Sequence, residues 1–170
     1  GKQYEMLFKL NAQANSGLKG TFSQAQAEFA RLGNEIQTLN NIQKDISSYQ
    51  KQEAAIEKTK AKLAELEGKY AEVKQAIEDN GGETDALAKK KAQLDEQLRK
   101  VNTRLEDQQA RLSSTGDRLQ EAKVGTIGLN SESKRLSEQI ARLSKEQEAA
   151  AQSVQSYKNR AVDAFSAAGE

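Results

Sequence analysis

The sequence predicts an all-α fold of long antiparallel coiled-coil helical hairpins, three helices in all, with a short N-terminal strand-like segment. Three observations carry this. Apolar residues recur at steps of three, four and seven along most of the chain, the spacing that keeps one helix stripe against a partner. Two glycine-bearing stretches, "EDNGGETDAL" and "AKVGTIGLNSESKRL", break that pattern where a helix would have to turn. The chain of 170 residues is 36% hydrophobic and 5% aromatic with no Pro, a recipe for helices around a narrow seam rather than for a globular core.

Residues 1–17 form the strand-like segment and a linker. Tyr4, Met6, Phe8 and Leu10 alternate with Glu5, Leu7 and Lys9, a period near two; the segment is either an edge that pairs with another chain or a frayed terminus. "NAQANSG" follows as a polar linker. Gly1 in place of an initiator Met, and the end at "SAAGE", suggest a piece of a longer protein.

Helix one is expected over 18–79. Leu18, Phe22, Ala25, Phe29, Leu32, Ile36 and Leu39 follow at steps of four and three, and Ile46 continues that register. Ile42, Tyr49, Ile56, Leu63, Tyr70 and Ile77 form a second series spaced by seven. Two successive steps of three, from Ile36 to Leu39 to Ile42, make a stammer that rotates the seam. Helix one therefore carries two seams that meet near residues 39 to 42.

Asn80, Gly81 and Gly82 end this helix with residues that tolerate positive φ, and Thr84 caps the next with Asp85 in its first turn. Helix two, over 84–123, places Leu87, Leu94, Leu98, Val101, Leu105, Leu112 and Leu119 in heptad positions, weakened by Lys91, Gln108 and Thr115. Gly125 and Gly128 form the second corner, with both glycines in conformations barred to other residues and with Ile127 and Leu129 plugging the seam. Helix three, over 130–168, carries Leu136, Ile140, Leu143, Val154, Tyr157 and Phe165, with Asn130 or Ser131 as its cap. Pairs such as Glu65 with Lys69 and Glu96 with Lys100 add ~0.2 to 0.5 kcal/mol each to the exposed faces.

Helix lengths bear on the packing. Helix one would measure ~90 Å, and helices two and three ~55 to 60 Å each. Helices two and three can pair with each other and cover helix one beyond the stammer, leaving ~30 Å of its start uncovered. The expected oligomer seam is thus Leu18, Phe22, Phe29, Leu32, Ile36 and Leu39, joining a dimer or trimer of the chain. The expected intrachain seam is Ile42, Tyr49, Ile56, Leu63, Tyr70, Ile77, Leu94, Leu98, Leu105, Leu112, Leu136, Ile140 and Leu143.

Composition also bounds function. With 26 basic against 25 acidic residues, no excess of positive charge marks the chain as a specific nucleic-acid binder, and Lys89 to Lys91 read as a solvated helix face. The absence of His and Cys removes the commonest metal ligands and the commonest general base, so no cofactor, metal site or enzymatic activity is expected. The carboxylates Glu65 and Glu67, or Asp95 and Glu96, diverge into solvent on a helix and lack the crowding that shifts a pKa. No apolar run is long enough to span a membrane. "GTIG", residues 125–128, has the GxxG form of a nucleic-acid clamp, but no flanking strands or basic groove accompany it, and a hairpin corner is the favoured reading.

Two stretches carry a family resemblance. "YEMLFKLNAQANSGLKGTFSQAQAEFARLGNEIQTLNNIQKDISSYQKQEAAIEKTKAKLAELEGKYAEVK" resembles the N-terminal region of bacteriophage tail tape measure proteins, in which a short apolar strand and a linker introduce a long coiled coil. "AKVGTIGLNSESKRLSEQIARL" is similar to a recurring corner and helix of that family, matched by Val124, Thr126, Leu129, Arg135 and Leu136, whereas Lys123 and Gly125 depart from it. The resemblance implies a structural protein of tail assembly and tail-length determination. It also implies tail tube and tail assembly chaperone partners, a location in the virion tail, and the bacterial host cytoplasm during assembly. The other reading is a coiled-coil spacer or adaptor of a cellular assembly, such as a chromosome-organising arm or a membrane-associated helical bundle.

Overall fold

The computed structural model of the chain describes residues 22–169, with side chains through residue 163. The strand-like segment and linker of residues 1–17, and Leu18, lie outside the described residues, as does the Phe165 side chain. The described chain is all-α and consists of three helices: α1 (Phe22–Asp79), α2 (Asp85–Glu121) and α3 (Leu129–Gly169).

Two compact units divide it. One is Ser47–Arg118; the other joins residues up to Ile46 with those from Leu119 onward.

Ser47–Arg118 is an antiparallel helical hairpin turned at a tight corner. Gly82 N–H bonds the Ile77 carbonyl at 3.0 Å and Gly81 N–H bonds the Glu78 carbonyl at 3.0 Å, the paired bonds of a Schellman cap, in which the residue after the helix must turn left-handed. Gly81 does so, with φ 74°. Thr84 then caps α2 in two ways: its carbonyl accepts from Ala88 N–H at 2.8 Å, and its Oγ1 accepts from Leu87 N–H at 3.2 Å. The core of this unit is Leu66, Val73, Leu94 and Val101, with Leu63, Tyr70, Ile77, Leu87 and Leu98 packed against it half-buried. Burying one such aliphatic side chain is worth about 1.5 to 3 kcal/mol, so this seam, together with the cap, holds the hairpin shut.

The register of the hairpin has a polar stretch. Val73 and Leu94 line one side of the hairpin together; counting heptads away from the corner from that level sets Leu66 with Val101, Thr59 with Gln108 and Gln52 with Thr115. Thr59 and Thr115 are buried, and each hydroxyl donates to its own helix, to the Ala55 and Arg111 carbonyls at 3.1 Å. Gln52 Oε1 and Gln108 Oε1 are buried with no hydrogen-bond partner.

In the other unit α3 runs antiparallel to the first part of α1. Gln43 reaches Ser133 and Ser137, whereas Phe29, earlier in α1, meets Gln147, later in α3. Buried residues fall at sevens on both sides: Ala25, Leu32, Leu39 and Ile46 on α1, and Leu129, Leu136, Leu143 and Ala150 on α3.

This pairing differs from the expectation that helices two and three pair with each other and leave the start of helix one uncovered. Leu32 is 0% exposed and Leu39 5% exposed inside a single chain, so they need no second copy to leave water. Matched lengths allow two helices to pair but do not decide which partner each takes; α2 takes residues 47–79 of α1 and α3 takes 22–46.

The second corner also departs from expectation. Lys123, not Gly125, adopts the left-handed conformation at φ 62°, while Gly128 has φ 73°. Lys123 N–H bonds the Gln120 carbonyl at 2.9 Å and Val124 N–H bonds the Leu119 carbonyl at 2.8 Å. This second Schellman cap has both of its apolar residues, Leu119 and Val124, buried. Leu129 is buried as expected, but Ile127 is 94% exposed and plugs nothing. α3 starts earlier than a cap at Asn130 or Ser131 would allow, because the Gly128 carbonyl accepts from Glu132 N–H at 3.1 Å.

Candidate functional site

Coiled-coil helices offer chemistry only along their seams, their corners and their outer faces. Of the expected oligomer seam, Leu32 and Leu39 are buried, Phe22 and Ile36 are half-buried and Phe29 is 41% exposed. Of the expected intrachain seam, Ile42, Ile56, Leu94, Leu136 and Leu143 are buried; Tyr49, Leu63, Tyr70, Ile77, Leu98, Leu105, Leu112 and Ile140 are half-buried. The two sets do not divide into interchain and intrachain surfaces: Leu39, Ile42 and Ile46 are buried in the same unit.

A stripe drawn along helix one at steps of seven misses the deepest residues of the hairpin. Leu66 and Val73 are 1% and 4% exposed; each lies three positions beyond a residue of that stripe, Leu63 and Tyr70. A two-stranded seam uses both heptad positions, and the second is present in the sequence as Thr59, Leu66 and Val73.

One carboxylate of each acidic pair, Glu65 and Glu96, stands in an ion pair with basic neighbours on its own helix. Lys69 donates to Glu65 at 3.2 Å and Lys62 stands 3.6 Å from it; the Lys69 hydrogen bond and then the Lys62 charge hold the Glu65 carboxyl below its ordinary value. Glu96 pairs with Arg99, three positions on, rather than with Lys100: Arg99 Nη2 and Nε donate at 2.6 and 2.9 Å. That bidentate hydrogen bond lowers the Glu96 carboxyl and raises the Arg99 guanidinium. A proton donor would need the opposite shift. Among the described residues no group of His, Cys, Asp or Glu could hold a metal ion, and no helix is long and apolar enough to cross a membrane.

An open groove of about 610 Å³ lies beside the first corner, lined among others by Glu67, Tyr70, Lys74, Ile77, Lys91 and Leu98. Lys74 Nζ sits 5.8 Å from the centre of the Tyr70 ring, and Lys91 pairs with Glu83 at 3.6 Å. Half-buried apolar side chains between charged ones suit a protein surface rather than a small-molecule pocket.

Seams, caps and a charged outer face define a coiled-coil protein. The family model of the Nuf2, DHR10-like domain matches residues 18–124, more than half of the chain, from the start of the first heptad series through α1 and α2 to the buried Val124 of the second cap. The chain belongs to that family. Comparison with curated proteins and with solved structures finds no match.

The family is one of kinetochore proteins, and it overturns the tape-measure reading. With that reading fall the virion tail and host cytoplasm as locations, and tail assembly as the function; tail tube and assembly chaperone partners are left without support. The likeness to tape measure proteins has a physical origin. Heptads of Leu, Ile, Gln, Lys and Glu follow from helix geometry, so unrelated coiled coils come to share them.

Proposed function

We propose that the chain is a non-enzymatic coiled-coil spacer of a kinetochore assembly, acting in chromosome segregation by holding protein chains at a defined separation. The match of residues 18–124 to the Nuf2, DHR10-like domain carries this reading. The fold supports it: a capped antiparallel hairpin is a stiff element whose outer faces remain open to other chains. Its partners are proteins, further copies of the chain among them, and its place is the chromosome.

The test is localisation. The full protein carrying a fluorescent tag, observed in dividing cells that make it, should concentrate at paired foci on condensed chromosomes, and deletion of residues 18–124 should disperse them. Foci that survive the deletion, or an even distribution of the intact protein, overturn the proposal.

A further inference from the structure

The first corner joins an asparagine to a glycine. Of the nine asparagines in the sequence, Asn80 alone is followed by glycine. The six others among the described residues, Asn34, Asn40, Asn41, Asn102, Asn130 and Asn159, lie within helices and precede residues with side chains. Asn80 stands just past the end of α1, and Asn80, Gly81 and Gly82 are all exposed. Nothing lies within 4 Å of the place a Cβ on Gly81 would take.

Such a pair can rearrange with water as its only reagent. Glycine has no Cβ to keep the two groups apart, so the Gly81 backbone nitrogen can reach Cγ of Asn80. The nitrogen loses its proton and bonds to Cγ, and Nδ2 leaves as ammonia, which closes a five-membered imide. Water then opens the ring. Cleavage of the new bond leaves aspartate; cleavage of the original peptide bond leaves isoaspartate, with the main chain running through Cγ and one methylene longer.

The Asn80 side chain is folded forward along that peptide, Nδ2 donating to the Gly82 carbonyl at 3.3 Å. The cap restrains the reaction, because the Gly81 N–H that must lose its proton donates to the Glu78 carbonyl at 3.0 Å. The rearrangement therefore waits for the corner to open. Its product then keeps the corner from closing as before. The added methylene displaces the Gly81 and Gly82 N–H groups from the Glu78 and Ile77 carbonyls, and the new carboxylate joins Glu78 and Asp79 at the negative end of a helix whose last turn has no basic residue.

We propose that Asn80-Gly81 is a self-modification site, at which opening of the corner lets asparagine convert to isoaspartate and the cap is lost for good.

The full 170-residue chain, incubated folded and in unfolding urea and then mapped by mass spectrometry, should exchange amide NH2 for OH at Asn80 before any other asparagine, with isoaspartate among the products. The folded chain should react more slowly, by roughly tenfold or more. The isoaspartyl chain, separated by ion exchange, should exchange its Gly81 and Gly82 amide protons roughly tenfold faster than the unmodified chain. Asn80→Asp, with the same charge and no added methylene, should change them less, and Asn80→Gln, whose longer side chain disfavours the ring, should release no ammonia from this position. Equal rates in the folded and unfolded chain, an Asn80 no faster than the other asparagines, or amide protection that survives isoaspartate formation would each overturn the proposal.

Discussion

Gln43 and Ser133 bind each other twice. Gln43 Nε2 donates to the Ser133 carbonyl at 2.7 Å, and Ser133 Oγ donates to Gln43 Oε1 at 2.7 Å; the same Nε2 also donates to Ser137 Oγ at 2.8 Å. One amide thus ties the first part of α1 to the first turns of α3 and fixes their alignment. Each bond is worth about 0.5 to 1.5 kcal/mol net. Gln43→Ala should therefore lower stability in urea unfolding by about 1 to 3 kcal/mol, whereas Gln37→Ala, on the exposed face, should change it by less than ~0.5 kcal/mol. Equal effects at the two positions would show that the clamp contributes nothing.

The second cap asks a lysine to do what glycine does more cheaply. A left-handed residue with a Cβ costs about 1 to 2 kcal/mol, so Lys123→Gly should raise stability by about 1 kcal/mol despite the greater freedom of the unfolded chain. Gly128→Ala and Gly81→Ala, at φ 73° and 74°, should each lower it by about 1 kcal/mol. Gly125 has no positive φ, and no atom lies within 4 Å of the place an added methyl would take, so Gly125→Ala should be near neutral. Thermal unfolding of the four variants gives the order directly.

The polar stretch of the hairpin should open more readily than its apolar layers. Gln108 Oε1 is buried without a partner, and a buried acceptor left unsatisfied costs about 1 to 3 kcal/mol. Gln108→Leu should raise the unfolding free energy by about 1 kcal/mol. Before substitution, amide exchange should be faster in residues 47–60 and 105–118 than in residues 63–77 and 87–101. Uniform exchange along the hairpin would contradict this.

Acid should loosen two exposed ion pairs of the hairpin. Glu65 and Glu96 have folded-state values below the ordinary glutamate value of 4.5, so their stabilisation is fully present above that pH and is lost as pH falls through the lower folded-state values. Both side chains face solvent, so the effect is small and salt-sensitive. Helicity followed by circular dichroism below pH 4.5 should fall less steeply in Glu65→Gln and Glu96→Gln than in the wild type. A steeper fall in the variants would reverse the sign assigned here.

Much of this architecture is legible in the residues. Heptad spacing defines the helices, and at the first corner the Asn80-Gly81-Gly82 run and Thr84 carry the capping chemistry that the structure uses. The second corner is harder to place, because Lys123 has no intrinsic preference for the left-handed region and the glycines that follow it attract the turn. The pairing of α3 with α1 depends on which apolar stripe meets which, a tertiary choice that helix length does not encode. The groove beside the first corner is hidden for a different reason. Tyr70 and Ile77 count as seam residues in sequence, and only the packed hairpin shows that one side of each remains open.

The two kinds of layer in the Ser47–Arg118 hairpin amount to a combination lock. Counted by heptads from the level of Val73 and Leu94, threonine falls opposite glutamine, while leucine and valine fall opposite one another nearer the turn. Slide α2 by seven residues one way and Leu66 is pushed against Gln108; slide it the other way and Thr59 is pushed against Val101. Either slip puts an amide or hydroxyl against hydrocarbon, so the polar layers, weak as they are, favour the one setting in which polar meets polar.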